Sequence, residues 1–334
     1  VRAWQVPSFG IDALQGVEQP NPQPGPGQVR VQVRAVSLNY RDLLMVKGLY
    51  NPKLMLPRIP CSDGAGEVDA VGDGVTAWKP GDRVAGIFMQ NWLDGAATPA
   101  KAAGALGGDI DGMLADRVVL AETGLVALPP HLTMEEASTL PCAAVTAWNA
   151  LQAGRLKPGS TVLIQGTGGV SIFALQFARL MGARVLGISS SDQKLERAHG
   201  LGLDAGLNYG QTPEWDRWVL DQTSGTGVDL VVEVGGVGTL PRSLRAVRMG
   251  GVIAQIGVLA AAAEALPLPL ILHKQIQIQG IYVGSRQDFI EMNKALTLSA
   301  LRPVLESTPW RKAPAVLRRM ESGSHFGKLV LSVD

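Results

Sequence analysis

Only two cysteines, Cys61 and Cys142, occur in 334 residues, which leaves no disulfide framework and fits free thiols in a reducing compartment. The same count excludes a four-cysteine structural zinc site within one chain. The four histidines, His131, His199, His273 and His325, fall in no ligand-like spacing and read as surface or packing residues. Charge is scarce as well: 18% of residues are charged, the net charge is +1, and no basic run occurs. Nucleic acid therefore has no electrostatic footprint, and a small-molecule substrate is the expected partner. No stretch approaches the ~20 consecutive apolar residues of a spanning helix, and the opening VRAWQVPSFG has no apolar signal core. A cytoplasmic protein without membrane contact is the expectation.

What is present is length and a change of texture. A chain of 334 residues exceeds what one core organises, so two domains are expected, with one large barrel as the alternative. VRVQVRAV (Val29 to Val36) alternates with period two, and GEVDAVG and DRVAGI continue in that style between Pro- and Gly-rich turns. From Pro129 the pattern is helical, with Thr133 and Glu136 at capping-box spacing. From Thr161 it becomes β-α-β: TVLIQ, RVLGIS, VDLVVEV and GVIAQIG alternate with helices, which indicates a parallel sheet covered on both faces. The expected division is a β-rich domain over residues 1–128, a nucleotide domain over 129–270, and a segment 271–334 returning to the first. LAAAAEALPLPL reads as a loop.

The turn Gly166-Thr167-Gly168-Gly169-Val170-Ser171 follows the strand TVLIQ and opens the helix VSIFALQFARLM. That context turns a weak glycine motif into a dinucleotide-binding expectation: the glycines allow close backbone approach, and the helix start offers unpaired N–H groups to a pyrophosphate. The next strand ends in Ile188, Ser189, Ser190 and Ser191 rather than the Asp or Glu that would accept from ribose hydroxyls. With Lys194 as a point charge and Tyr209 as a further contact, NADP(H) is the expected cofactor. Alternatively, Lys194 caps a solvated helix face and the serines permit either dinucleotide.

At this point the chain resembles the medium-chain dehydrogenase/reductase superfamily. The resemblance is carried by NYRDLLMVKGLY, PCSDGAGEVDAVGDGV, KPGDRV, LPCAAVTAWNAL, GTGGVSIFALQFA, VEVGGVGT and GGVIAQIG, spread over nearly the full length. It implies a GroES-like β-rich catalytic domain and a Rossmann domain with a doubly wound parallel sheet, and hydride transfer as the chemistry. Zinc enzymes of the superfamily place ligands at positions that fall here on Asn39, on Ser62 followed by Asp63, and on Cys142. One thiolate, a serine and an amide are not three strong N or S ligands. The chain is thus similar to the zinc-free branch, which includes quinone oxidoreductases and enoyl reductases, and no metal is expected.

The resemblance also distributes roles. Asn39 is expected to orient the reacting groups and Tyr50 to donate a hydrogen bond or proton, or else to be an aromatic with its hydroxyl in water. Asp63 is expected to hold backbone or an arginine, with a direct proton role as the lesser reading. Thr146, Ile256, Gly257, Tyr282 and Val283 are expected near the nicotinamide, Gly235 and Gly236 near the adenosine ribose, and Lys328 near the cofactor or as a surface charge. Cys142 is expected to be a small buried thiol at a helix start. QIQIQGIYVG is expected to pair with its copy in a homodimer, a reading that a monomer in light scattering removes. The leading function is an NADPH-dependent reductase of quinones or activated carbonyls and enones. A zinc alcohol dehydrogenase with an atypical ligand set and a non-catalytic NADPH-binding protein are the alternatives.

Overall fold

Along the chain of the computed structural model, which describes residues 1–257 and 265–333, strands β1 (Arg2–Gln5), β2 (Gln15–Glu18), β3 (Gln28–Leu38), β4 (Asp63–Val71), β5 (Arg83–Gly86), β6 (Arg117–Ala121) and β7 (Leu125–Ala127) come first. Then come β8 (Thr161–Gln165), β9 (Arg184–Ser189), β10 (Ala205–Asn208), β11 (Val228–Glu233), β12 (Val247–Gln255) and β13 (Gln277–Gly280), followed by β14 (Leu305–Pro309) and β15 (Lys328–Ser332). These build two compact units, Val1–Val145 with Gly284–Asp334, and Thr146–Val283.

The first unit is organised by β3, whose alternation drives Val29, Val31 and Val33 into the core while the intervening side chains stay half-exposed. It pairs antiparallel with β4, β6 and β15 in a seven-stranded sheet. Leu43, Leu329 and Leu331 join the same apolar cluster, so the returning tail is held by core burial. Register places the site: Ser37 lies opposite Asp63, and Leu38 opposite Leu329. The residues one step beyond, Asn39, Ser62 and Lys328, are therefore gathered at one end of three adjacent strands.

The second unit is a six-stranded parallel sheet in the order β10-β9-β8-β11-β12-β13. Numbered from β8, that is the 3-2-1-4-5-6 order of a dinucleotide fold, with the strand order reversing at β8. Its inner strands are apolar, with Val162, Leu163, Ile164, Leu230, Val231 and Ile253 all buried, because the middle of a sheet covered on both faces has no wet side.

The boundaries differ from the expected ones at both ends. Residues 129–145 stay with the first unit, since the helix Met134–Ser138, capped by Thr133 and Glu136, packs on β3 and β4. Gln277–Gly280 belongs to the parallel sheet, where it pairs with β12, and the chain leaves that unit only after Val283. Alternating QIQIQG could join either sheet; pairing with β12 decided it. The strand is a sheet edge with all four residues exposed. Of the expected loop LAAAAEALPLPL, residues 259–264 lie outside the described residues, and residues 268–270 begin the helix Leu268–His273.

Candidate active site

In the first unit a polar cluster sits where the apolar strands end. Asn39 precedes the helix Tyr40–Val46, and its N–H donates to Asp42 Oδ2 at 2.8 Å. Asn39 Nδ2 donates to Ser62 Oγ at 3.3 Å, and Ser62 Oγ donates to Asp63 Oδ1 at 2.7 Å. Asp63 Oδ2 accepts the Cys142 N–H at 3.1 Å. From the other side Lys328 Nζ donates to Leu38 O at 2.7 Å and to Asn39 Oδ1. The result is one directed chain of donors, Lys328 to Asn39 to Ser62 to Asp63, with every member buried. A network whose members all find partners fixes one arrangement of its side chains.

Two expectations change here. Lys328 is not a surface charge, because pairing β15 beside β3 carries it into the cluster, 3% exposed. Cys142, half-buried as a residue but with its thiol enclosed, lies in a π-helical turn, Leu140–Ala144, rather than at an α-helix start. Pro141, which has no N–H to offer the preceding helix, interrupts α-helical bonding there. Asp63 does hold backbone, that of this turn. Tyr50 stands apart from the chain: it is exposed, its ring lies 5.7 Å from the Arg41 guanidinium, and its hydroxyl has no hydrogen bond among the described residues.

Arg41 and Asp42 were not legible as site residues. The Arg41 guanidinium packs over the rings of Tyr50 and Phe88, donates to Leu106 O at 2.6 Å and stands 3.6 Å from Asp42. Asp42 also accepts the Ser62 N–H at 3.3 Å. The Asn-x-x-Asp spacing of NYRD, a capping-box pattern, was the available signal.

Zinc does not fit this donor set. Both Asp63 oxygens are engaged, Asn39 is bonded to an ammonium group that would repel a dication, and Cys142 alone does not make the three strong N or S ligands zinc takes. Among the described residues no group of three His, Cys, Asp or Glu is arranged to hold a metal ion.

Burial raises the Asp42 carboxyl from 3.8 to about 6, against the pull of Arg41. Burial also raises Asp63, opposed mainly by Lys328. The folded protein therefore keeps the Asp42 proton where the unfolded chain has released it. The stabilisation from that proton is complete below pH 3.8 and is lost as pH rises through about 6. A shift of this size corresponds to about 3 kcal/mol. In urea melts between pH 4 and 7, Asp42→Asn is expected to flatten the fall in stability by about that amount; an unchanged slope would refute this titration.

In the second unit β8 ends at Gln165, and Gly166 turns with φ +70° into the helix Gly169–Leu180. Open space lies in front of Gly166 and Gly168, where an added Cβ would meet nothing within 4 Å. Thr167, Gly169 and Val170 complete a turn whose first helical N–H groups have no intrahelical partners, so the loop fits a dinucleotide pyrophosphate. Ser171, in the third-glycine position, is buried and donates to Gln165 O at 2.6 Å, closing the turn.

Ser189, Ser190, Lys194 and Tyr209 gather at the carboxyl end of β9. The Tyr209 N–H donates to Ser189 O at 3.0 Å, and Ser191 caps the helix that carries Lys194. Asp192 is held by Asn208 and Gln211 at 2.9 Å each. The Gly235 and Gly236 N–H groups, expected near the ribose, are taken up by Glu233 Oε1 at 2.9 Å. Glu233, which sequence reasoning missed, is wholly buried and also accepts from Thr239, Gln165 and Ser243. An acidic residue ending the apolar strand VDLVVEV was the signal. Gly257 lies so close to Val234 that an added Cβ would sit 1.7 Å from its carbonyl oxygen, and the Ile256 and Gly257 N–H groups both donate to Glu233 O. Thr146, buried on the helix Val145–Ala153, and Tyr282 and Val283, just beyond β13, also belong to this unit.

Residues 25–130 match the model of the alcohol dehydrogenase GroES-like domain, and residues 169–297 that of the zinc-binding dehydrogenase family. A zinc-type alcohol dehydrogenase-like protein of Schizosaccharomyces pombe is 43% identical over 97% of this chain and 96% of its own length. The acryloyl-coenzyme A reductase of Metallosphaera sedula is 32% identical over 87% of each chain. The crystal structure of an NAD-dependent alcohol dehydrogenase superposes with a TM-score of 0.91 at 34% identity, covering 100% of both chains.

Proposed function

The chain belongs to the medium-chain dehydrogenase/reductase superfamily, and from that premise we propose that this oxidoreductase is a zinc-independent, NADPH-dependent reductase of quinones or activated carbonyls and enones. One observation carries the reading. Asn39 and Ser62, which stand at the positions of zinc ligands, are tied into a hydrogen-bond chain that begins at a buried lysine and leaves Asn39 a second amide N–H. A conjugated acceptor needs hydrogen-bond donors for the charge that develops on its oxygen rather than a Lewis acid. NADPH, when bound, supplies the hydride. Asn39, held by Lys328, and Tyr50, with its hydroxyl unengaged, are the donors assigned to that oxygen. A relative named for reducing acryloyl-coenzyme A supports an activated double bond as acceptor.

The cofactor preference rests on the end of β9. The carboxylate that follows the strand, Asp192, is occupied by two amide side chains, and the serine hydroxyls and the Lys194 ammonium at this end are group types that suit a 2′-phosphate better than ribose hydroxyls. The test is oxidation of NADPH and NADH with an ortho-quinone and an enone, before and after exhaustive chelation. Turnover unchanged by chelation is expected, with NADPH favoured about tenfold or more in kcat/KM. Loss of turnover that zinc restores would instead establish the zinc alcohol dehydrogenase that the name of the yeast relative suggests.

A further inference from the structure

Val283 is a β-branched residue in the left-handed region, with φ +56°, and it is buried. Valine does not adopt this conformation without strain, so something must hold it. Its carbonyl accepts a 2.8 Å hydrogen bond from Asn149 Nδ2, while its own N–H has no hydrogen-bond partner among the described residues. Asn149 lies one turn beyond Thr146 on the helix Val145–Ala153, so both side chains share a face.

Position gives the strain a use. Val283 follows β13 by three residues and so lies beyond the carboxyl end of the sixth strand. In a 3-2-1-4-5-6 sheet the pyrophosphate sits at the first strand, here β8. The two halves of a dinucleotide extend to opposite sides of it, outside the carboxyl ends. The serines at the end of β9 mark the adenosine side, which leaves the β11-β12-β13 side for the nicotinamide.

We propose that Asn149 is a positioning residue: by gripping the Val283 carbonyl it keeps Val283 in its left-handed conformation, with the Val283 N–H preset for the nicotinamide end of the cofactor. This rests on the reading that a nicotinamide dinucleotide occupies this edge. Asn149 acts through the backbone of Val283 and touches no reacting atom.

The test compares the wild type, Asn149→Ala, Val283→Gly and the double variant, titrated with NADPH by fluorescence and with 2′,5′-ADP, which has no nicotinamide, by calorimetry. Asn149→Ala is expected to weaken NADPH about tenfold and to leave 2′,5′-ADP within about twofold. Glycine adopts the left-handed turn without strain. In the Val283→Gly background the Asn149→Ala loss is therefore expected to shrink below about threefold. Equal losses for NADPH and 2′,5′-ADP, the same loss in both backgrounds, or no loss would each overturn the proposal. If the wild type prefers NADH, the titrations use NADH and ADP, and only the cofactor preference falls. If it binds neither dinucleotide, the functional reading falls and takes the proposal with it.

Discussion

Lys328→Met is expected to lower kcat/KM by about a hundredfold with an ortho-quinone and to destabilise the first unit by about 3–5 kcal/mol. The ammonium group is buried, and its hydrogen bonds run to Leu38 O and Asn39 Oδ1. Methionine fills similar space but leaves two buried acceptors without a donor, each costing about 1–3 kcal/mol. It also removes the positive charge that draws Asp42 and Asp63 back toward ionisation. Asn39 then loses the partner that fixes which way its amide faces, and the donor chain to Ser62 and Asp63 loses its first member. Lys328→Arg keeps the charge but replaces a compact point donor with a planar fork, and should fall between the two. Steady-state kinetics and urea melts decide it. Wild-type kcat/KM together with an unchanged midpoint in Lys328→Met would make the lysine a bystander and remove the main support for the functional reading.

In the nucleotide unit the largest effect is expected from Glu233→Ala, a loss of about 3–5 kcal/mol, or roughly 10 °C in the thermal midpoint. The carboxyl group accepts from the Gly235 and Gly236 N–H groups, Thr239 Oγ1, Gln165 Nε2 and Ser243 Oγ. Truncation removes that acceptor from all five; Gly235 keeps Gln165 Oε1, Gln165 Nε2 keeps Ser243 Oγ and Thr239 keeps Gly236 O, so the buried Gly236 N–H and Ser243 hydroxyl lose the most. Gln165 also directs its amide oxygen at the Val234 and Gly235 N–H groups, 3.3 Å from each. Loosening Glu233 therefore frees the loop after β11 as well as the side chain itself. Glu233→Gln keeps one acceptor oxygen and the shape of the side chain, and should lose less than half as much. Calorimetric scans of both variants, with dinucleotide titrations alongside, separate the cases: equal midpoints for Ala and the wild type would show that the network contributes nothing to stability.

Much of the fold could be read from the residues because burial imposes period. Alternation in Val29 to Val36 required a strand with one core face, and the apolar runs TVLIQ and VDLVVEV required a sheet covered on both sides. Gly166 with Gly168 pointed to the turn between a strand and a helix that the structure shows. The choice of hydroxyls after β9 is equally local, since it depends on which side chains end one strand. These features are determined by short-range chemistry, in which each residue's neighbours along the chain are also its neighbours in space.

The polar cluster is of the other kind. Asn39, Ser62, Cys142 and Lys328 are far apart along the chain, and only the pairing of β15 and β4 on either side of β3 sets Lys328 and Ser62 against Asn39. The sequence, through its resemblance to zinc enzymes, suggested that the ligand positions carry Asn39 and Ser62 instead, but it left open whether Lys328 was a cofactor contact or a surface charge. The same holds for Glu233, Asn149 and the place of β13, where residues of modest individual signal acquire a role through partners supplied by other elements. Local periodicity fixed which segments are strands and helices, because each buries its own face. The wiring of the site was decided by tertiary register, because a hydrogen bond or a buried charge has meaning only with the group it meets across the fold.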